Sequence, residues 1–544
     1  MSKSLTQPLK IALAQCNFHV GDIPGNTDTI IHQAMLAAAD GAQLIVFSEL
    51  ALTGYPPEDL LLRPSLALRV QEALLRIGEA SENIAICIGY PKLSADELYN
   101  CAGVFYKGEC LGEYAKHELP NYQVFDEKRY FSAGNEPTVV ELHGVKLGLT
   151  VCEDVWFDAP VAKSVDAGAE LILNLNASPY HSGKQQERID LICRHAEQHK
   201  VPVLYVNQIG GQDELVFDGS SFAVSEKAEC VLQMFSWRED LALVQFENGE
   251  LTTLSDCRDA REDGLASLYN ALVLGVRDYV NKNRFPGVVL GLSGGIDSAL
   301  TLAIAVDALG PERVRAVMMP FKWTSGMSKE DAGLQADAMG VRYQSISIEP
   351  MYNEFMSALA PDFEGLKVDT TEENLQSRCR GVLLMALSNK TGYMVLTTGN
   401  KSEMAVGYAT LYGDMAGGYG ALKDVYKTKV FALAEYRNTI SPVIPQRVID
   451  RPPSAELAPD QVDEDSLPAY PVLDDILERY IEHDESAEQI IGAGHEREDV
   501  MRVVRLVDVN EYKRRQAPIG VRITQRGFGR DRRYPVTNGW KAGI

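Results

Sequence analysis

The stretch "GVVLGLSGGIDSALTLAIAVDALG", residues 287–310, changes character in its middle. Its first residues form an apolar run that fits a buried strand, Ser-Gly-Gly turns the chain, and a helical pattern starts near Asp297 and Ser298. Strand, glycine turn and helix in that order is how a parallel α/β sheet begins. Glycine lets backbone approach a ligand, and the free N–H groups at a helix N-terminus attract an anion. The loop Gly291, Leu292, Ser293, Gly294, Gly295, Ile296, Asp297, Ser298 therefore suits phosphate without a lysine. The Walker pattern G-x-x-x-x-G-K-[ST] is absent from it, which argues against γ-phosphoryl transfer of the P-loop kind.

Outward from that loop, "VRAVMMP", "RYQSISI" and "YMVLTTGN" continue a strand-and-helix series through the second half. The first half carries its own series: "KIALAQ" (10–15), "LIVFSE" (44–49), "IAICIGY" (84–90), "KLGLTVC" (146–152), "LILNLN" (171–176) and "VPVLYVN" (201–207). A chain of 544 residues exceeds one core, so two α/β domains are expected, 1–252 and 269–544, with a polar linker over 253–268. The net charge of −24 disfavours nucleic acid and anionic membrane as partners. Nine scattered cysteines without CxxC pairs suit a reducing compartment, and no run of about 18 apolar residues or signal-peptide core occurs, so a cytoplasmic protein is expected. The acidic segment 453–487 reads as solvated surface, and the basic tail 512–541 as a dinucleotide or subunit contact rather than a nucleic-acid patch.

Two sets of polar residues stand at expected strand ends. In the second half, "LTTGNKSE" (396–403), "YGD" (412–414) and "GYGALKDVYKTKV" (418–430) surround the glycine loop. Asp297 with Glu403 could hold Mg²⁺ through carboxylate oxygens, and Lys427 or Lys429 could neutralise a leaving pyrophosphate. In the first half, Glu49 ends "LIVFSE", Lys116 lies in "YAKHELPNY" and Cys152 ends "KLGLTVC". A glutamate beside a thiol can take its proton, and a lysine beside both stabilises the thiolate and the oxyanion of an attacked carboxamide. Each residue alone could be core filler, a cap or a surface charge. Together they predict an amide-cleaving nucleophile.

The Ser-Gly-Gly-x-Asp-Ser set at 293–298 resembles the pyrophosphate loop of the N-type ATP pyrophosphatases. With "ENLQSRCRG" (373–381) and "RPPSAEL" (451–457), the second half resembles the NAD⁺ synthetase family. That likeness implies a doubly wound parallel sheet, with Thr398 and Lys427 at ATP and Asn374, Glu403 and Lys513 at deamido-NAD. Where relatives usually have Pro-Ser-x-Tyr after the second strand, this chain has "MMPFKWTSGMS" (318–328). The strings "FSELALTGYPPEDL", "KHELPNYQVFDEKRYF" and "VCEDVWFDAP" resemble the nitrilase superfamily, in its glutaminase branch fused to such synthetases. An αββα sandwich follows from that resemblance, with Glu49 as general base, Lys116 as oxyanion stabiliser and Cys152 as nucleophile. Glu127 would orient Lys116, and Tyr122, Ser178 and Lys184 would bind glutamine. The implied reaction is ATP-dependent amidation of deamido-NAD to NAD⁺ through an adenylate, with ammonia from L-glutamine, Mg²⁺ as cofactor and a homo-oligomer as the working state. Another glutamine-dependent ligase acting on a purine nucleotide, or a scaffold built from inactive domains, are the rival readings.

Overall fold

The computed structural model describes residues 8–255, 264–454, 456–458 and 467–540. The chain divides into two compact units, residues 1–263 and 264–544. Of the expected linker, 256–263 lies outside the described residues, 253 ends a strand, and 264–268 open the helix Gly264–Lys282.

The first unit is built on two sheets. One has seven strands in the order Glu250–Thr253, Asp240–Glu247, Leu9–Gln15, Leu44–Val46, Ala85–Ser94, Glu97–Tyr106, Glu109–Ala115. The other has six, running Cys230–Gln233, Phe222–Val224, Val203–Asn207, Leu171–Asn176, Val145–Val151, Val139–Leu142. Side chains alternate between sheet faces with a period of two, and the sequence uses both faces. Leu9, Ile11 and Leu13 join Leu147, Leu149, Leu173 and Leu175 in a core between the sheets. Ala12 and Ala14 face the other way, with Ile23, Ile30, Val70 and Ile77 from the helices Ile23–Ala39 and Pro64–Ala80. Ile172, Val203 and Tyr205 likewise pack on Ile189, Ile192 and Val161 of the helices Lys184–His199 and Asp158–Asp166. Helix, sheet, sheet, helix is the αββα sandwich.

The second unit centres on a five-stranded sheet whose neighbouring strands are all parallel. Its order is Arg342–Ser345, Val314–Met318, Val288–Gly291, Met394–Thr397, Tyr419–Gly420. The first strand in sequence, Val288–Gly291, lies between the second and the fourth, so the winding reverses beside it. Open α/β sheets bind ligands at that reversal, beyond the carboxyl ends of the strands. The helix Ile296–Leu309 packs against Val288–Gly291 and Val314–Met318, and Thr370–Thr391 against Val288–Gly291 and Met394–Thr397.

One surface reading needs correction, and the basic tail gains detail. The acidic stretch is not all solvated: within it the helix Tyr470–Ile481 buries Tyr470, Leu473, Asp474, Ile476, Leu477 and Ile481, while 459–466 lie outside the described residues. In the basic tail Arg514, Arg522 and Arg532 are buried and paired with Glu511, Asp531 and Glu511. Those charges brace the unit itself. Among the described residues no helix is long and apolar enough to cross a membrane.

Candidate active sites

In the first unit the polar residues stand just past the strand ends, a small shift from the expectation. The strand Leu44–Val46 stops three residues before Glu49, and Val145–Val151 stops one before Cys152. Cys152 opens the short 3₁₀ turn Cys152–Trp156 with φ of 43°. That left-handed conformation is costly for a residue with a Cβ and concentrates at functional sites. Asp154 holds the turn: Oδ2 accepts from the Val151 N–H (2.8 Å) and the Tyr114 hydroxyl (2.9 Å), and Oδ1 from the N–H groups of His117 (3.1 Å) and Glu118 (2.9 Å). Burial pushes the Asp154 carboxyl up to about 6, although those donors favour its charged form. One carboxylate thus ties the cysteine turn to the segment that carries Lys116.

Lys116 is buried between two carboxylates. Its Nζ lies 2.7 Å from Glu49 Oε1 and 2.9 Å from each oxygen of Glu127. Burial acts to lower the ammonium's pKa, but Glu127 and Glu49 override it and hold the value well above that of a free lysine. Glu49 also accepts from Asn100 Nδ2 (2.8 Å) and the Ala177 N–H (3.1 Å), and Tyr55 donates to Glu127 (3.0 Å). Burial pushes the Glu127 carboxyl up to about 7 against the pull of Lys116. The Cys152 thiol is raised well above its ordinary value, first by burial and then by Glu49, with Lys116 opposing. A protonated thiol beside a carboxylate needs a base at the moment of attack. A Cβ on Gly89 would stand 2.3 Å from the Leu50 nitrogen, so that glycine makes room for the backbone that carries Glu49.

The three expected glutamine contacts differ in their surroundings. Tyr122 is half-exposed and donates to Glu153 Oε1 (2.9 Å). Lys184 Nζ is 3.0 Å from Glu187 and 4.0 Å from the centroid of the Trp156 ring. Ser178 is engaged by Arg188, whose Nε donates to Oγ (3.2 Å) and Nη2 to the Ser178 carbonyl (2.7 Å). Arg188 is itself fixed by Asp218 at 2.8 Å. Asp154, Glu153 and Arg188 were missed as site residues. The first two lay inside a quoted string, whereas Arg188 sits on an ordinary amphipathic helix and gave no signal.

In the second unit the glycine loop closes on itself. The Ser298 hydroxyl donates to the Gly295 carbonyl (2.9 Å) and accepts from the Ser293 N–H (3.2 Å), and Ser293 Oγ accepts from the Gly295 N–H (3.2 Å). Gly294 has φ of 80°, and a Cβ there would meet the Ser328 carbonyl oxygen at 2.3 Å. Ile296 begins the helix, with Gly295 as its cap. Across the winding reversal Asn400 caps the short helix Lys401–Val406 through the Glu403 N–H (3.0 Å) and donates from Nδ2 to Asp297 Oδ1 (2.8 Å). Lys427 Nζ bridges Asp297 Oδ2 (2.5 Å) and Glu403 Oε1 (2.9 Å). Burial opposes the Lys427 charge, and Asp297 and Glu403 outweigh it, so its pKa stands above that of a free lysine.

These groups wall a cavity of about 600 Å³. Gly291, Leu292, Ser293, Gly295, Ile296, Asp297, Ser298, Thr398, Glu403 and Lys427 line it, with Trp323 and Thr324 from the 318–328 segment. Gly294, packed close to the Ser328 backbone, is not among the lining residues. Asn374 and Lys513 are not in the wall: Asn374 accepts from the Thr410 hydroxyl (2.9 Å), and Lys513 donates to the carbonyls of Gly407 (2.7 Å) and Ala409 (2.8 Å). Arg451, missed from sequence, donates to the Gly294 carbonyl (2.5 Å) and Ser328 Oγ (3.0 Å) and so clamps the glycine loop.

A buried thiol with a carboxylate and an ammonium in one unit, and a phosphate loop at a sheet reversal in the other, are the parts of a carbon–nitrogen hydrolase joined to a nucleotide-binding ligase. The comparisons agree. Residues 10–254 match the carbon-nitrogen hydrolase family, and residues 268–517 match NAD synthase. The glutamine-dependent NAD(+) synthetase of Acinetobacter baylyi is 52% identical over 98% of this chain and 99% of its own. That of Aquifex aeolicus is 44% identical over 97% of this chain and 99% of its own. A solved glutamine-dependent NAD⁺ synthetase from Acinetobacter baumannii, in complex with ADP, superposes with a TM-score of 0.80 at 50% identity, covering 99% of this chain and 100% of that one. The chain belongs to the glutamine-dependent NAD(+) synthetase family, ligases that take their nitrogen from glutamine.

Proposed function

We propose the following division of labour in the amidation of deamido-NAD. Glu49 takes the Cys152 proton as Sγ attacks the side-chain carboxamide of glutamine, and Lys116 faces the oxygen on which charge develops. Glu127 holds Lys116 in place. Collapse of the adduct breaks the C–N bond, Glu49 returns the proton, and ammonia leaves. Water, with Glu49 again as base, then cleaves the glutamyl thioester to glutamate. Tyr122 and Lys184 hold the amino acid end of glutamine, and Ser178 shapes the pocket while held by Arg188.

In the second unit the N–H groups of 293–298 receive the pyrophosphate end of ATP, Thr398 lies on the cavity wall beside it, and Lys427 offsets the leaving charge. The nicotinate carboxylate attacks the α-phosphorus and pyrophosphate leaves, giving a mixed anhydride with AMP. Ammonia attacks the acyl carbon, AMP leaves, and a proton is lost to solvent. Asp297 and Glu403 offer hard carboxylate oxygens on the cavity wall, two negative charges facing one lysine, and this donor set fits Mg²⁺. Held by these two carboxylates, Mg²⁺ would supply neutralisation of phosphate charge. Asn374 and Lys513 act on deamido-NAD by shaping the wall around 407–410 rather than from within the cavity. The working state is a cytoplasmic homo-oligomer, without nucleic-acid or membrane partners.

The observation that carries this reading is the Asp297–Lys427–Glu403 cluster at the mouth of a lysine-free phosphate loop. A product assay with ATP, deamido-NAD and either glutamine or ammonium tests it. AMP and pyrophosphate are expected in step with NAD⁺; stoichiometric ADP and phosphate would overturn the assignment.

A further inference from the structure

We propose that Asp158, His195 and His199, in the first unit, form a binding site for a divalent transition-metal ion of the zinc class. His195 and His199 lie four residues apart on the helix Lys184–His199, the spacing that puts two side chains on one helical face. Their rings stack at 5.9 Å with 16° between planes. Asp158, the first residue of the helix Asp158–Asp166, faces them, and its Oδ1 is 2.8 Å from His199 Nε2. One ligand atom from each of the three residues lies within 4.8 Å of the others. A tetrahedral site with bonds of about 2.1 Å needs its ligand atoms about 3.4 Å apart. Asp158, whose side chain is 56% exposed, is the least confined of the three.

His195 is the second, independent observation. It is 6% exposed, and its Nε2 lies 2.6 Å from the Val155 carbonyl, which can only accept, so Nε2 carries the proton. Nδ1 is thereby left as a lone pair, buried and without a hydrogen-bond partner among the described residues. Burial lowers the pKa of this imidazole and keeps it neutral. A neutral ring with its far N–H fixed on a carbonyl is the form in which histidine ligates metals. Gln198 Nε2 donates to Asp158 Oδ1 (2.8 Å) and orients the carboxylate. Two imidazoles and one carboxylate, with a position left for water, suit Zn²⁺ and disfavour the all-oxygen preferences of Mg²⁺ and Ca²⁺. Val155 belongs to the turn Cys152–Trp156, so the outer hydrogen bond of the site ends on the turn that presents the nucleophile.

Zn²⁺ itself is the probe, added to the full chain and measured by equilibrium dialysis with elemental analysis. Co²⁺ in a parallel sample reports the donor atoms, because thiolate ligation adds a sulfur-to-cobalt charge-transfer band that an imidazole–carboxylate site lacks. The native chain should bind one equivalent with the nitrogen–oxygen spectrum, and His199→Ala should weaken that equivalent about tenfold or more. Asp158→Ala, at the more exposed position, should do the same without opening a cavity in the core. Equal affinity in the native chain and both variants, or a thiolate spectrum for the equivalent they lose, would overturn the site.

Discussion

Lys116 and Lys427 occupy the same kind of position, each between two carboxylates, but in different surroundings. Around Lys116 the side chains of Glu49 and Glu127 are 0% and 6% exposed; around Lys427, Asp297 and Glu403 are both 18% exposed and line a cavity. With water excluded, the first cluster keeps fixed charges at a fixed place, the preorganisation that stabilises an oxyanion without reorganising. The second lines a cavity, and in the function proposed above Asp297 and Glu403 would exchange a lysine contact for a cation that arrives with ATP. On that proposal one arrangement of charges would serve as a rigid tool where it is dry and as an exchangeable seat where it is wet.

The sharpest way to test that division is to remove the dry site's nucleophile. Cys152→Ser keeps the shape of the turn but offers a hydroxyl that scarcely ionises, so NAD⁺ formation from glutamine should fall by about 10⁴-fold or more. High ammonium should still support synthesis, because the 291–298 loop and its cavity belong to the other unit. Mass spectrometry of NAD⁺ formed with either nitrogen source reads both results at once. Loss of the ammonium-supported rate would show that the two chemistries are not separable.

The converse change acts in the wet cluster. Asp297→Asn keeps the Asn400 contact approximately but removes a charge from the mouth of the cavity, and synthesis from either nitrogen source should drop about 10²- to 10³-fold. Glutamate release by the first unit should persist. Full synthetase activity in this variant would remove Asp297 from the metal-binding role proposed for it.

The two sites were legible from sequence to different depths, for a physical reason. Groups that do chemistry sit where strands give way to loops, so Glu49, Lys116, Cys152 and the 293–298 loop interrupt apolar runs and stand out. Groups that support them are spread over other elements and look ordinary. Arg188 is one polar residue on a helix, Arg451 lies 157 residues from the loop it clamps, and Asp474, in a stretch taken for solvated surface, accepts from Ser402 (2.5 Å) and the Thr428 N–H (2.8 Å) beside Lys427. The fold followed the same rule. Fully buried, Leu- and Ile-rich strands such as Leu171–Asn176 were plain, whereas the antiparallel strands Glu97–Tyr106, Glu109–Ala115 and Asp240–Glu247 carry charged and exposed residues among the apolar ones and did not stand out.

A smaller effect distinguishes Glu127 as a positioning residue from a mere buried acid. Its carboxyl is raised to about 7, against about 4.3 for a free glutamate, so it gains a proton and stops facing Lys116 with charge as pH falls through 7. Glutamine hydrolysis should show that acid limb, and Glu127→Gln should flatten it while lowering the plateau about 10²-fold. The stability linkage has the opposite sign to that of a carboxylate with a depressed pKa. The folded chain binds this proton more tightly than the unfolded one, so its contribution is full below about 4.3 and is lost as pH rises through 7. An unchanged acid limb in Glu127→Gln would place the titrating group elsewhere.

The smallest expected effect is at Trp323, in the segment 318–328. The ring lines the nucleotide cavity, is 38% exposed, and carries Lys322 Nζ 4.5 Å from its centroid. An aromatic face at the edge of such a cavity suits a purine, and one base stacked on an aromatic ring is worth about 1–3 kcal/mol. Trp323→Ala should therefore raise the KM for ATP about tenfold with kcat little changed, the signature of lost binding that is equal in ground and transition states. Trp323→Tyr retains a flat aromatic and should recover most of that loss. Glutamate release should not respond to either change, because the ring belongs to the second unit. A fall in kcat at unchanged KM would mean that the 318–328 loop positions the reacting phosphate, and the wet site would then depend on preorganisation as much as the dry one.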